Sequence, residues 1–111
     1  MKNKVLVVDI DGTICTTLAS DYENSQPKMD RIEALNALAD DGCTIILLTA
    51  RGMGSSNNDR ELAEAKWRHL TERQLVTWGL KYSKLFFGKP AGDLYIDDKG
   101  VLDKDFFNKL I

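Results

Sequence analysis

The sequence predicts an α/β fold built on a short parallel sheet. Three observations carry that expectation. Apolar runs of strand length alternate with stretches of helical periodicity. The runs, VLVV at Val5–Val8 and TIILL at 44–48, are continuous rather than alternating, the pattern of strands buried on both faces. Acidic or hydroxyl residues follow the runs directly, and a parallel sheet gathers such residues along the carboxyl ends of its strands.

The elements follow in order. Val5–Val8 runs straight into Asp9-Ile10-Asp11-Gly12-Thr13. A spacing of two puts Asp9 and Asp11 on one side of an extended chain. Gly12 permits a sharp turn, and Thr13 can hydrogen-bond back to nearby main chain. The polar stretch ICTTLASDYENSQP reads as a loop or small hairpin flap standing over the end of the first strand. Met29, Ile32, Leu35, Leu38 and Ala39 then recur at helical spacing, which predicts a helix over 28–41 stopped by Gly42.

The second strand, 44–48, ends at Thr49-Ala50-Arg51. A long flexible stretch, GMGSSNND, precedes a helix over 59–70. Thr71 and Gln74 form a T-x-x-Q capping signature for a further helix to Trp78, closed by Gly79. KLFF at Lys84–Phe87 reads as a third strand and Leu94-Tyr95-Ile96 as a fourth, ending at Asp97-Asp98. The tail, 103–111, reads as a last helix. Only the six residues 88–93 separate the third strand from the fourth. Parallel crossovers normally take a dozen residues or more, but six extended residues span at most about 20 Å, enough for the height of a short strand. The third strand is then an edge strand feeding back through a bare loop, or KLFF is not a sheet strand.

Bulk properties narrow the class. At 111 residues the chain has room for a single domain, 1–111, with one core. A net charge of −2 and the absence of a Lys/Arg cluster give no nucleic-acid footprint. The cysteines, Cys15 and Cys43, are too few for a disulfide framework or a zinc site, in keeping with a reduced cytoplasmic protein. Met1-Lys2-Asn3-Lys4 leads into a strand rather than a signal-peptide core, and no apolar run approaches the ~20 residues of a membrane helix. No membrane partner is expected.

In a parallel sheet Asp9, Asp11, Thr49, Asp97 and Asp98 share one edge, and Lys89, after the third strand, can reach it. Two close carboxylates are costly unless a cation or proton lies between them, and magnesium is a hard cation that prefers oxygen ligands. Carboxylates, a hydroxyl and a lysine around a cation suit phosphoryl transfer, which is mostly positioning and charge neutralisation. Alone, each residue has a plainer reading. An Asp past a strand is often a cap or turn residue, Thr49 a cap, and Lys89 solvated surface.

Taken together, VVDIDGT, LLT, the lysine of FGKP and the acidic pair of DLYIDDK resemble, in order, the motifs of the haloacid dehalogenase superfamily of phosphatases. LLTAR, FGKP and GDLYIDDK are similar to small capless capsule (polysaccharide) biosynthesis phosphatases. The resemblance covers nearly the whole chain. It implies a three-layer Rossmann-like (HAD-like) fold with no cap domain, and a magnesium-dependent phosphomonoester hydrolase working through an aspartyl-phosphate. Asp9 would be the nucleophile and Asp11 the acid and base. Magnesium would be held by Asp9, by the backbone carbonyl of Asp11 and by Asp97, with Asp98 beside it. Thr49 would bind a phosphoryl oxygen, and Lys89 would neutralise Asp9 and the phosphate. Arg51 either reaches substrate or steadies the loop after it.

A small phosphorylated substrate is implied, a sugar phosphate or polysaccharide precursor. Capless relatives act on large substrates or borrow a neighbouring subunit as a lid, so a homo-oligomer is a possible partner. The alternatives are a nucleotidase or other phosphotransferase of the same superfamily, or a non-catalytic phosphate-binding or receiver-like module. A receiver has no need of an acid placed two residues after its acceptor, so Asp11 favours the enzyme. Trp67 and Trp78 read as core, His69 as surface, Cys15 as unactivated and Tyr22 as a flap residue near substrate.

Overall fold

A computed structural model describes residues 1–110; Ile111, the expected end of the last helix, lies outside the described residues. The chain runs β1 (Val5–Val8), β2 (Cys15–Thr16), a 3-10 turn (Tyr22–Asn24), β3 (Gln26–Pro27), α1 (Met29–Asp40), β4 (Thr44–Thr49), α2 (Arg60–Trp78), β5 (Lys84–Phe87) and α3 (Asp103–Asn108). β1, β4 and β5 form a parallel sheet in that order. β2 and β3 pair antiparallel as a small hairpin, with Cys15 opposite Pro27. This is an α/β fold with a short parallel sheet, Rossmann-like in its connections.

The register explains the core. Val7 lies opposite Ile46 and Val8 opposite Leu47, while Leu85 lies beside Leu47 and Phe87 beside Thr49. Side chains alternate between faces along each strand. One face therefore carries Val8, Ile45, Leu47, Leu85 and Phe87, all buried against Ile32, Leu35 and Leu38 of α1 and Leu75 and Trp78 of α2. Phe107 of α3 joins the same cluster, and Arg31 of α1 fixes α3 through a 2.6 Å salt bridge to Asp103.

The other face is not covered in this way. Val5 and Val7 are 63% and 62% exposed, and Phe86 is exposed as well. The continuous apolar run of β1 thus marks a strand buried on one face, not two. Residues 88–102, after β5, carry no helix, which leaves that face open among the described residues.

Three further expectations change. The two helices expected over 59–78 are one 19-residue helix, α2, capped by Asp59, whose side chain accepts from the Glu61 and Leu62 amides. Thr71 is buried mid-helix and its hydroxyl is used elsewhere. The stretch 52–58 is an ordered series of turns, with Ser56 N donating to Gly52 O and Asn58 N to Met53 O. The fourth strand does not form. Residues 94–96 pair with nothing in the sheet, and Leu94 and Ile96 are 80% and 92% exposed. KLFF is instead the edge strand that ends the sheet.

Candidate active site

The site is built at the carboxyl end of β1. Ile10 and Ile14 are fully buried and anchor the turn between them, with the amides of Thr13 and Ile14 both donating to Ile10 O. Gly12 takes φ +84°, a left-handed conformation costly for other residues. Asp9 and Asp11 then face a common cavity of about 270 Å3, lined also by Ala19, Tyr22, Ala50, Lys89 and Tyr95.

The two aspartates are held differently. Asp9 Oδ2 accepts from the Thr13 hydroxyl at 3.0 Å, and Asp9 Oδ1 lies 3.5 Å from Lys89 Nζ. Thr13 therefore serves the carboxylate rather than main chain. Burial pushes the Asp9 carboxyl above its usual range, while the Lys89 ammonium and the Thr13 hydroxyl pull it back. The Lys89 amide donates to Thr49 O at 3.2 Å, so Lys89 is carried on the rung just beyond β5.

Asp11 is gripped by Arg51. Nε and Nη2 of the guanidinium donate to Asp11 at 3.0–3.3 Å, and the Thr17 hydroxyl donates to Asp11 Oδ1 at 2.6 Å. Arg51 is 1% exposed. Its Nη1 donates to Thr71 Oγ1 at 3.0 Å and to Gln74 Oε1 at 2.6 Å, and its Nη2 reaches Ser25 Oγ at 3.3 Å. The whole fork is used inside the protein, so Arg51 holds Asp11 and presents no free donor to a ligand. Thr71, Gln74, Thr17 and Ser25 are absent from the sequence-based set. Thr71 and Gln74 stand three apart on one helix face and gave the T-x-x-Q signal, but they use it to grip Arg51.

The flap closes the roof. Tyr22 O accepts from Gln74 Nε2 at 2.6 Å, and Tyr22 Oη accepts from the Gly52 amide at 3.1 Å. Its ring meets Trp67 edge-on at 4.8 Å. Gly52 is required there, since a Cβ would lie 2.6 Å from Trp67 Cδ1.

The remaining expected residues fall in two places. Thr49 is 0% exposed and lies beneath the site, its hydroxyl accepting from the Arg51 amide at 3.1 Å. Asp97 sits on the exposed segment after residue 96, where its Oδ1 accepts from the Lys99 and Gly100 amides at 2.6 Å. Asp98 is exposed beside it. Among the described residues no three carboxylate, histidine or cysteine groups gather as a metal site. Asp97 is thus not gathered with Asp9 and Asp11 among the described residues. Asp11's carboxylate is paired with Arg51 and Asp9's with Lys89. Cys15 is buried, and burial pushes its thiol up, which disfavours the thiolate a nucleophile would need.

No helix among the described residues is long and apolar enough to cross a membrane. No family model and no curated protein matches the chain. Two chains of the Pnkp1/Rnl/Hen1 RNA repair complex share its fold, at 20% and 19% identity and TM-scores of 0.59, over 97% and 98% of this chain and 34% and 31% of theirs. A target protein from Vibrio cholerae, known by crystal structure, matches at 31% identity with a TM-score of 0.86, over 94% of this chain and 87% of its own. With that identity over nearly the full length of both, the chain belongs to the same family as the Vibrio cholerae protein.

Proposed function

We propose that this protein is a phosphomonoester hydrolase of the haloacid dehalogenase type. The observation that carries the reading is the pairing of Asp9 with Lys89 at 3.5 Å in a cavity that Asp11 also lines. Asp9 attacks phosphorus, the bond to the leaving oxygen breaks, and Asp11 supplies the proton that the departing alcohol takes up. Water then attacks the aspartyl-phosphate, Asp11 accepts its proton, and inorganic phosphate leaves with Asp9 restored. Lys89 balances charge on Asp9 and on the phosphoryl oxygens. Arg51 and Thr17 keep Asp11 aimed at the same space.

The substrate we propose is a small sugar phosphate or polysaccharide precursor, as the resemblance of FGKP and DLYIDDK implies. The fold shared with chains of an RNA repair complex brings a phosphate on an RNA end into view, but a net charge of −2 gives the chain no overall excess of basic residues to neutralise a nucleic-acid backbone. The test is release of phosphate from an aryl phosphate at neutral pH, with magnesium and with chelator. Asp9→Asn is expected to cut turnover by about 10^4-fold or more with unchanged circular dichroism. Undiminished turnover in Asp9→Asn removes the nucleophile assignment. A panel of sugar phosphates against phosphorylated oligonucleotides separates the two substrate classes.

A further inference from the structure

The arm 88–102 has a defined structure but leaves its apolar residues in water. It is anchored at both ends, by β5 and by α3. Tyr95 Oη donates to Pro90 O at 2.6 Å and accepts from the Gly92 amide at 3.2 Å. The Lys89 ammonium lies 4.3 Å from the Tyr95 ring centroid, and the Ala91 amide donates to Asn58 Oδ1 at 3.0 Å. Yet Leu94, Ile96, Val101 and Leu102 are all exposed. In the strand-forming triplet Leu94-Tyr95-Ile96, the two aliphatic side chains, Leu94 and Ile96, therefore have nothing to pack against.

The rest of the molecule holds the matching half. β1 is an edge strand whose outer backbone groups face no strand among the described residues. Beside it lies the open apolar face of Val5, Val7 and Phe86. The chain's own arm is poorly placed to fill that edge. From Phe87 at the far side of the sheet it would travel three strand spacings, about 14 Å, and descend about 10 Å before turning upward. The diagonal is about 17 Å, within the ~20 Å that six straight residues span, but Tyr95 Oη bonds Pro90 O and the Gly92 amide and keeps those residues folded. A second copy meets no such limit. Because each copy carries both the arm and the edge, a twofold pair satisfies both at once.

We infer that residues 94–96 of a second copy of this chain add as a fourth parallel strand on the free edge of β1, and that the partner subunit's Asp97 completes the carboxylate set at Asp9. Aligning the partner subunit's Asp97 with Asp9 sets the partner's Ile96 beside Val8 and the partner's Leu94 beside Leu6. Both then extend the helix-covered side. The partner's Tyr95 falls beside Val7 on the open side. The carboxylates meet because parallel strands end at the same edge of the sheet. This brings a second carboxylate beside Asp9, and one or two carboxylates together with substrate phosphate are the usual ligands of magnesium. The strand exchange stands on geometry alone; the delivery of Asp97 rests on the phosphatase reading.

The exchange is tested by cross-linking full-length chains. The same register sets the partner's Asp93 beside Val5. Val5→Cys and Asp93→Cys alter exposed residues and leave Tyr95 in place, and the native Cys15 and Cys43 are buried. Co-expressed and mildly oxidised, the two single variants are expected to give a covalent heterodimer that neither gives alone. The double variant is expected to give covalent dimer. Overturning results are a double variant that closes within one chain, or wild type that sediments as a monomer and variants that never cross-link. Delivery of Asp97 is read by mixing Asp9→Asn with Asp97→Asn. Random pairing puts half the chains in mixed dimers with one intact site of two, so about a quarter of wild-type activity returns. If the cross-link forms and wild type is active but mixing restores nothing, the partner's Asp97 does not serve the site. If wild type is inactive on every phosphoester, the cross-link still decides the exchange.

Discussion

Arg51 and Ile96 depart from the ordinary distribution of residues in opposite directions. Arg51 is an ion sealed in the interior, 1% exposed; Ile96 is a branched hydrocarbon 92% exposed. The arginine is at home because its own chain surrounds it with Asp11, Thr71, Gln74 and Ser25. The isoleucine has no such surroundings within its own chain. A buried charge that is fully matched needs nothing further, whereas an ordered apolar segment left in water points to a surface beyond the chain.

Four substitutions sharpen the contrast. Arg51→Met strands Asp11, Thr71 and Gln74 without their donor, and is expected to cost about 3–5 kcal/mol in urea unfolding, as breaking a buried pair does. A loss below about 1 kcal/mol would mean water replaces the guanidinium freely. Lys89→Met removes the ammonium that lowers the Asp9 carboxyl, while burial, which raises it, remains. The acid limb of the pH–rate profile is therefore expected at higher pH, with a lower plateau; a limb that stays in place would separate Lys89 from Asp9.

Asp103 secures the arm's far end, and the Arg31 hydrogen bond holds its carboxyl below the usual carboxylate range. A depressed folded value adds stability above the unfolded pKa of about 3.9 and loses it as pH falls through the folded one. Asp103→Asn is expected to narrow the stability difference between pH 7 and pH 3 by about 1 kcal/mol, measured by urea midpoints. Smallest in stability is Ile96→Ser, expected within about 0.5 kcal/mol for the isolated chain. Its effect is on association, measured by sedimentation, and a large loss of intrinsic stability would place Ile96 in its own chain's core.

The sequence revealed the strands better than their surroundings. VLVV, TIILL and KLFF are strands because β-branched, aliphatic and aromatic runs between turn residues have few other uses. How many faces they bury depends on what the crossovers carry, and no property of VLVV itself says that the loop after β5 lacks a helix. The turn bearing Asp9 and Asp11 was legible because its residues are consecutive. The grip on Asp11 was not, since Arg51 lies 40 residues away and Gln74 a further 23. Leu94-Tyr95-Ile96 has the composition of a strand and, within the described residues, no place in the sheet.

Tyr22 fastens the hairpin to α2 through its carbonyl and to the turn at Gly52 through its hydroxyl. A roof bolted at two points does not swing. For the proposed phosphatase, turnover would then have no closing motion to wait for, and selection would fall to the aperture: a phosphate that projects from its carrier would enter, while one recessed among bulky substituents would meet the rim.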